Sequence, residues 1–366
     1  MTQATTIRSL SIERLDIPLQ RPFGMLREPQ GIVQNLLVCL ELADGTCGYG
    51  EAAPFPDITG ETQEATWAAL EEARSLVEGG NVREWRAISQ RLRGPLDQAR
   101  SALCAIEMAL LDALTRSVNL PLWAFFGGAS QSLETDMTVT TGTVSEATAQ
   151  AQAIISRGIS TIKIKVGTGK LALDLERIEA VHTAAPSAPL ILDGDGRLNA
   201  DEALQLLSTL HIGMITPILF EQPVGAHELN AMRQVAKWGG VPVAADESVT
   251  CASDVYTIAS LRAAHVVSIK LMRSGIVEAL DIAAAARTSN LQLMISSLRE
   301  TILGTSVAAC FAAGLGGFSY VDLDTPIFLA QNPFQSGLVR RGSMLDLSAI
   351  SAGHGVTPRT STTSSS

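Results

Sequence analysis

The stretch "TIKIKVG", residues 161–167, reads as a buried β-strand but carries two lysines, Lys163 and Lys165. Side chains alternate along a strand, so Ile162, Ile164 and Val166 share one face and the lysines share the other. If that second face meets solvent, the lysines are ordinary surface charge. If it lines a closed barrel, two ammonium groups have been taken out of water, at a cost on the order of several kcal/mol each unless carboxylates offset it. The neighbouring segments decide which holds.

Runs of the same kind recur from about residue 135 onward. They are "TDMTVTT" (135–141), "PLILDGD" (189–195), "PILFEQPV" (217–224), "VPVAADES" (241–248), "HVVSIKLM" (265–272), "LQLMISS" (291–297) and "FSYVDLD" (318–324). With 161–167 they make eight strands, each separated from the next by an Ala-rich helical stretch. Lys163, Asp193, Glu221, Asp246, Lys270, Ile295 and Asp322 follow one another at intervals of 24–30 residues, the length of a βα unit. Eight such units predict an α/β chain closed into a (β/α)₈-type barrel. An open doubly wound sheet is disfavoured, because no Gly-rich dinucleotide fingerprint follows the first strand. "GTGK" (167–170) resembles a phosphate loop only in passing, since its spacing fails the Walker pattern.

Ahead of the barrel, residues 1 to about 60 alternate like strands, and helical periodicity takes over from about 61 to 126, which predicts a separate α+β region. The 366 residues carry 27 Lys+Arg against 37 Asp+Glu, a net charge of −10, with no basic run. That balance argues against nucleic acid or an anionic membrane as a partner. No apolar run approaches a membrane span, and the polar start lacks a signal-peptide core, so a soluble cytoplasmic protein is expected. The five cysteines are scattered with no CxxC pair, which predicts free thiols. "TPRTSTTSSS" (357–366) reads as a disordered low-complexity tail.

In such barrels chemistry sits at the carboxyl ends of the strands. Lys163, Lys165, Asp193, Glu221, Asp246 and Lys270 fall there on five successive strands, too regular a pattern for solvated decoration. Three carboxylates on adjacent strands, with no His or Cys beside them, are hard oxygen ligands suited to Mg²⁺. The second and sixth strands lie on opposite sides of an eight-stranded barrel, which sets Lys165 and Lys270 across the site from each other. A metal on a substrate carboxylate can stabilise the enediolate formed when the neighbouring hydrogen leaves, and burial with nearby cations can lower a lysine's pKa enough for it to act as base. Two opposed lysines can remove a proton on one face and return it on the other, inverting the centre.

These residues resemble the enolase superfamily, which pairs a Lys or His base with Mg²⁺. The resemblance runs through "RPFGMLRE", "GYGEAAP", "ITGET", "IEMALLDAL", "PLWAFFGGA", the two-lysine strand, "LDGD", "FEQPV", "ADES" and "IKLMRSG". It implies a (β/α)₇β barrel (129–325) under an N-terminal α+β capping domain (1–128), with 326–356 returning to that domain. It further implies Asp193, Glu221 and Asp246 as Mg²⁺ ligands, Lys165 and Lys270 as the acid/base pair, and Lys163 as stabiliser of the developing charge. None of the five histidines ends the seventh or eighth strand, which leaves the lysine–lysine branch of muconate cycloisomerase, o-succinylbenzoate synthase and the dipeptide epimerases. The chain departs from that branch in having Asp193-Gly194-Asp195 where Asp-Ala-Asn is usual.

Asp322 and Asp324, two apart in "VDLDTP", share one face and should repel each other unless a cation lies between. A substrate α-ammonium would supply it. This DxD motif resembles that of the dipeptide epimerases, so a dipeptide inverted at its C-terminal residue is the expected substrate. An o-succinylbenzoate synthase or N-acyl amino acid racemase-like activity is the alternative. Arg27 in the capping loop and Arg299 after the seventh strand suit bidentate carboxylate binding and favour an acidic C-terminal residue, as in Ala-Glu. Thr138 and Ser297 are further candidate substrate contacts, and a homo-oligomer is expected.

Overall fold

The computed structural model describes residues 4–20 and 31–359. Its capping region begins with an antiparallel sheet of β1 (Ile7–Pro18), β2 (Ile32–Leu42) and β3 (Cys47–Ala52), in that order. Helices α1 (Gln63–Val77) and α3 (Arg100–Ser117) pack on it, and α2 (Trp85–Arg93) packs against those two helices. The Thr62 side chain caps α1 by accepting from the Ala65 N–H. Helix α3 is apolar nearly all round because it lies between the capping sheet and the barrel, and 14 of its 18 residues are buried. Gly50 lets it approach β3: a Cβ there would fall 1.9 Å from the Ala105 carbonyl oxygen.

After β4 (Ser132–Glu134) the barrel strands follow: β5 (Met137–Val139), β6 (Ile162–Lys165), β7 (Leu190–Asp193), β8 (Leu219–Glu221), β9 (Val243–Ala245), β10 (Val266–Lys270), β11 (Gln292–Ser296) and β12 (Phe318–Asp322). They pair in parallel in chain order, so the eight expected strands are present. Their outward residues, such as Ile162, Ile164 and Leu192, join one core with the surrounding helices. Inward Ile191, Leu219, Ala244, Val266 and Met294 form a second apolar plug that floors the barrel. The face carrying Lys163 and Lys165 therefore points inside, and Lys163 is only 3% exposed.

The barrel closes without a regular ladder between β5 and β12. The seam is stitched instead by Asp136 N–H to the Val321 carbonyl (3.0 Å), Leu323 N–H to Thr135 Oγ1 (2.9 Å) and Thr138 N–H to Asp324 Oδ2 (2.8 Å). Side chains from the two strands thus do part of the backbone's work.

The C-terminal chain forms β13 (Phe334–Ser336), β14 (Val339–Arg341), β15 (Met344–Asp346) and β16 (Val356–Pro358). β15 pairs with β4, and β13 pairs with β16. The segment then meets α3: the His354 N–H donates to Asp112 Oδ1 at 3.0 Å, and Arg116 Nη2 donates to the Val356 carbonyl at 2.8 Å. Thr357 and Pro358, read from sequence as the start of a disordered tail, stand in β16, because pairing with Phe334 and Gln335 outweighs their polar composition. Residues 360–366 of that expected tail lie outside the described residues. Among the described residues, no helix is long and apolar enough to cross a membrane.

Candidate active site

The register of the barrel brings the charged residues into one layer. Lys165 pairs with Asp193, and Asp193 with Glu221, each the last residue of its strand. Asp246 follows β9 by one residue, and Lys270 ends β10 beside Ser296, which in turn pairs with Asp322. β6 and β10 stand four strands apart in the eight, so Lys165 and Lys270 reach the mouth from opposite sides.

Lys163 lies deepest. Its Nζ donates to Asp322 Oδ2 and lies 3.2 Å from Glu221 Oε2 and 3.1 Å from Asp193 Oδ2. Lys165 Nζ lies 2.7 Å from Asp193 Oδ2 and 2.6 Å from Asp195 Oδ1. Lys270 Nζ meets Asp246 Oδ2 at 2.5 Å, and Arg273 donates to the other oxygen of that carboxylate and to its backbone carbonyl. Glu221 is fully buried and, among the described residues, receives two long contacts, from the shared Lys163 ammonium and from Ser268 Oγ at 3.2 Å.

Burial alone would lower the lysine pKa values, and a lowered value was expected. Here the facing carboxylates outweigh burial and hold Lys163, Lys165 and Lys270 above their usual range. Asp193 and Asp246 are held below the carboxylate range, burial being overcome by Lys165 and Lys163 in one case and by Arg273 and Lys270 in the other. Glu221 goes the other way. Burial, with Asp193 and Asp246 adding like charge, pushes it up to about 7.

Among the described residues, no three His, Cys, Asp or Glu side chains are grouped so as to hold a metal ion, because the carboxylates turn towards ammonium groups. The donor set nevertheless fits a hard dication. Asp193, Glu221 and Asp246 offer only oxygen, come from three successive strands, and include in Glu221 a buried carboxylate with too little positive charge beside it. A bound dication would also take up the charge that now raises the lysines.

Asp322 accepts from Lys163 and from Ser296 Oγ (2.8 Å), and Asp324 is held through the Thr138 N–H. Both aspartates are buried, and burial together with the Asp322 charge pushes Asp324 up to about 6. Thr138 thus reaches the site through its backbone. Ser297 is bound to the Asp322 carbonyl by its N–H at 3.1 Å and lies near Thr325 Oγ1. Arg299 Cζ lies over the Phe55 ring, 3.6 Å from its centroid, at the junction with the capping sheet. Arg27 lies outside the described residues.

Three charged participants were not singled out from sequence. Arg273 follows Lys270 by three residues in a helical turn, a spacing that could have marked it. Glu247, next to Asp246, is pushed up to about 8 by burial and by the Asp246 charge. Asp136 shares the inward face of Thr138 by strand alternation. A cavity of about 710 Å³ runs beside this cluster, between Ile58 and Arg93 of the cap and Glu247 and Arg273 of the barrel. A larger one, of about 900 Å³, lies around His265 and Gln292 at the opposite end of the strands, away from the charged groups.

The Mandelate racemase / muconate lactonizing enzyme, N-terminal domain model matches residues 9–127, and the Enolase C-terminal domain-like model matches 146–362. The chain belongs to the mandelate racemase/muconate lactonizing enzyme family of the enolase superfamily. An aromatic dipeptide epimerase from Herpetosiphon aurantiacus is 46% identical over 96% of this chain and 99% of its own. The crystal structure of a family member from Roseiflexus sp. superposes with a TM-score of 0.94 at 54% identity, covering 98% of this chain and 99% of that one. A dipeptide epimerase from Enterococcus faecalis, complexed with Mg and L-Leu-L-Tyr, superposes with a TM-score of 0.92 at 28% identity, covering 96% and 99%. The family's barrel-and-cap architecture matches the one described above.

Proposed function

We propose that the protein is an Mg²⁺-dependent dipeptide epimerase that inverts the Cα of the C-terminal residue of a dipeptide. The observation that carries this reading is the pair Lys165 and Lys270, set at the ends of strands four apart around the barrel with Asp193, Glu221 and Asp246 between them. Those three carboxylates would hold Mg²⁺, which when bound stabilises negative charge on the substrate carboxylate. One lysine, as the free amine, takes the Cα proton while the C–H electron pair moves into that carboxylate. The opposite lysine, as the ammonium, returns a proton to the other face. Lys163 keeps positive charge beneath the carboxylate throughout, and Asp322 and Asp324 hold the α-ammonium of the first residue.

The C-terminal side chain has two candidate classes. Arg299 supports an acidic residue, as in Ala-Glu. The Phe55 ring beneath it supports an aromatic one, which agrees with the name of the Herpetosiphon relative. The free cysteines among the described residues fit a reducing, cytoplasmic setting.

The deciding experiment follows α-hydrogen exchange by NMR in D₂O with Mg²⁺, over a panel of Ala-Glu, Ala-Phe and Ala-Lys. Exchange with inversion and no loss of water is expected for at least one dipeptide. Turnover confined to the precursor of o-succinylbenzoate, or to N-acyl amino acids, would overturn the assignment.

A further inference from the structure

Asp136, the residue before β5, is 3% exposed inside the barrel, and among the described residues neither of its carboxylate oxygens has a hydrogen-bond partner. The charges that act on it are Asp322 and Asp324 from the β12 end, Lys163 from β6 and Glu221 from β8. Arg340 of β14 also senses it weakly. Lys163 is the only one of these cations inside the barrel, and an ammonium has three N–H groups. The structure already sets three acceptors around it, from Asp322, Asp193 and Glu221. No hydrogen bond runs from that ammonium to Asp136. A buried carboxylate that meets like charges and no protein donor does not stay ionised. Asp322, on the facing strand, takes both of its side-chain hydrogen bonds on Oδ2, which leaves Oδ1 able to accept.

We propose that Asp136 is a positioning residue that stands as a neutral carboxylic acid and donates its proton to Asp322, joining β5 to β12 and fixing the orientation of the Asp322 carboxylate. The link lies on the seam that lacks a regular ladder, where the Asp136 N–H meets the Val321 carbonyl at 3.0 Å and so sets Asp136 beside Asp322, the first residue of the DxD pair. Burial and the Asp322 charge push Asp136 well above the usual carboxylate range, which agrees with the hydrogen-bond count. The consequence for substrate binding rests on the proposed capture of an α-ammonium by Asp322; the protonation state does not.

The test compares Asp136→Asn and Asp136→Ala with the unaltered enzyme. Infrared difference spectra at neutral pH, unaltered minus Asp136→Asn, are expected to show the C=O band of a protonated carboxyl that shifts in D₂O. Only carboxylate bands would overturn the proposal. With a dipeptide substrate, Asp136→Asn should keep kcat/KM within about threefold, because a neutral amide N–H replaces the O–H. Asp136→Ala should raise KM at least tenfold with a smaller change in kcat. A hundredfold loss in Asp136→Asn at unchanged Tm would mean that the negative charge itself is needed, and would also overturn it. The infrared result stands even if no dipeptide is turned over, so failure of this proposal is separable from failure of the functional reading.

Discussion

Glu51 on capping strand β3 accepts hydrogen bonds from both the N–H (2.9 Å) and the hydroxyl (2.8 Å) of Thr301, the N-cap of barrel helix α4 (Ile302–Leu315). It also accepts from the Gly304 N–H at 3.0 Å and from Asn35 Nδ2 at 2.7 Å. A buried carboxylate from one region thus satisfies the helix N-terminus of the other, where unpaired donors and the helix dipole both favour negative charge.

Glu51→Ala leaves those donors without a partner in a fully buried place. A loss of about 2–4 kcal/mol is expected, by the usual cost of stranded buried donors. Thermal unfolding checks it, with Glu51→Gln falling between the two because the amide still accepts through one oxygen. A Tm for Glu51→Ala equal to that of the unaltered protein would show that the cap docks without this contact.

Lys165→Ala and Lys270→Ala should each abolish two-way epimerisation. Each keeps one base, so in D₂O each should still exchange the α-hydrogen of a single isomer, and the two variants should choose opposite isomers. Mass spectrometry of the separated isomers reads this directly. Equal exchange of both isomers by either variant would refute the two-base assignment.

Much of this site was legible because strand alternation is strict and barrel strands present their ends in register. One face of residues 161–167 had to hold both lysines, and the regular spacing placed Asp193, Glu221 and Lys270 at strand ends. What was not legible depends on side-chain direction or on long-range contact. Nothing local says that Asp195 turns onto Lys165, at φ 45° in the left-handed region that Asp tolerates. Nothing local pairs Glu51 with Thr301, 250 positions away. The C-terminal strands β13 to β16 have only three residues each, too few for a period to show.

Mg²⁺ should raise the Tm of the protein, because it supplies the positive charge that the buried Glu221 lacks. Chelation should abolish turnover, and Glu221→Gln should remove most of the Mg²⁺-induced shift, as read by thermal melts titrated with the metal. An undiminished shift in that variant would place the metal elsewhere.

N-acetylating the dipeptide should lower kcat/KM at least about tenfold, the loss of roughly 1.4 kcal/mol of buried charged contact. Asp324→Asn should do the same while leaving Lys163 paired. Asp322→Asn should cost more, because it also weakens the contact that holds the Lys163 ammonium. An acetylated substrate as good as the free dipeptide would mean that no ammonium is recognised, and would move the N-acyl amino acid reading ahead.

Glu300 offers a test of pH-dependent stability away from the proposed metal ligands. It is 2% exposed, accepts from the Leu298 N–H, and lies near Glu51. Burial, with the Glu51 charge adding to it, pushes its carboxyl up to about 8, against an ordinary value of 4.5. Between those two values the folded protein keeps a proton that the unfolded chain has released. Stability therefore falls as pH rises through that window, by up to about 1.4 kcal/mol per unit from this group, and levels off above it. Glu300→Gln has no proton to lose. The Tm of the variant relative to the unaltered protein should accordingly climb from about pH 5 to about pH 8 and then stay flat. A Tm difference that does not change across that range would show that Glu300 is ionised in the fold, stabilised by a donor that its surroundings do not reveal.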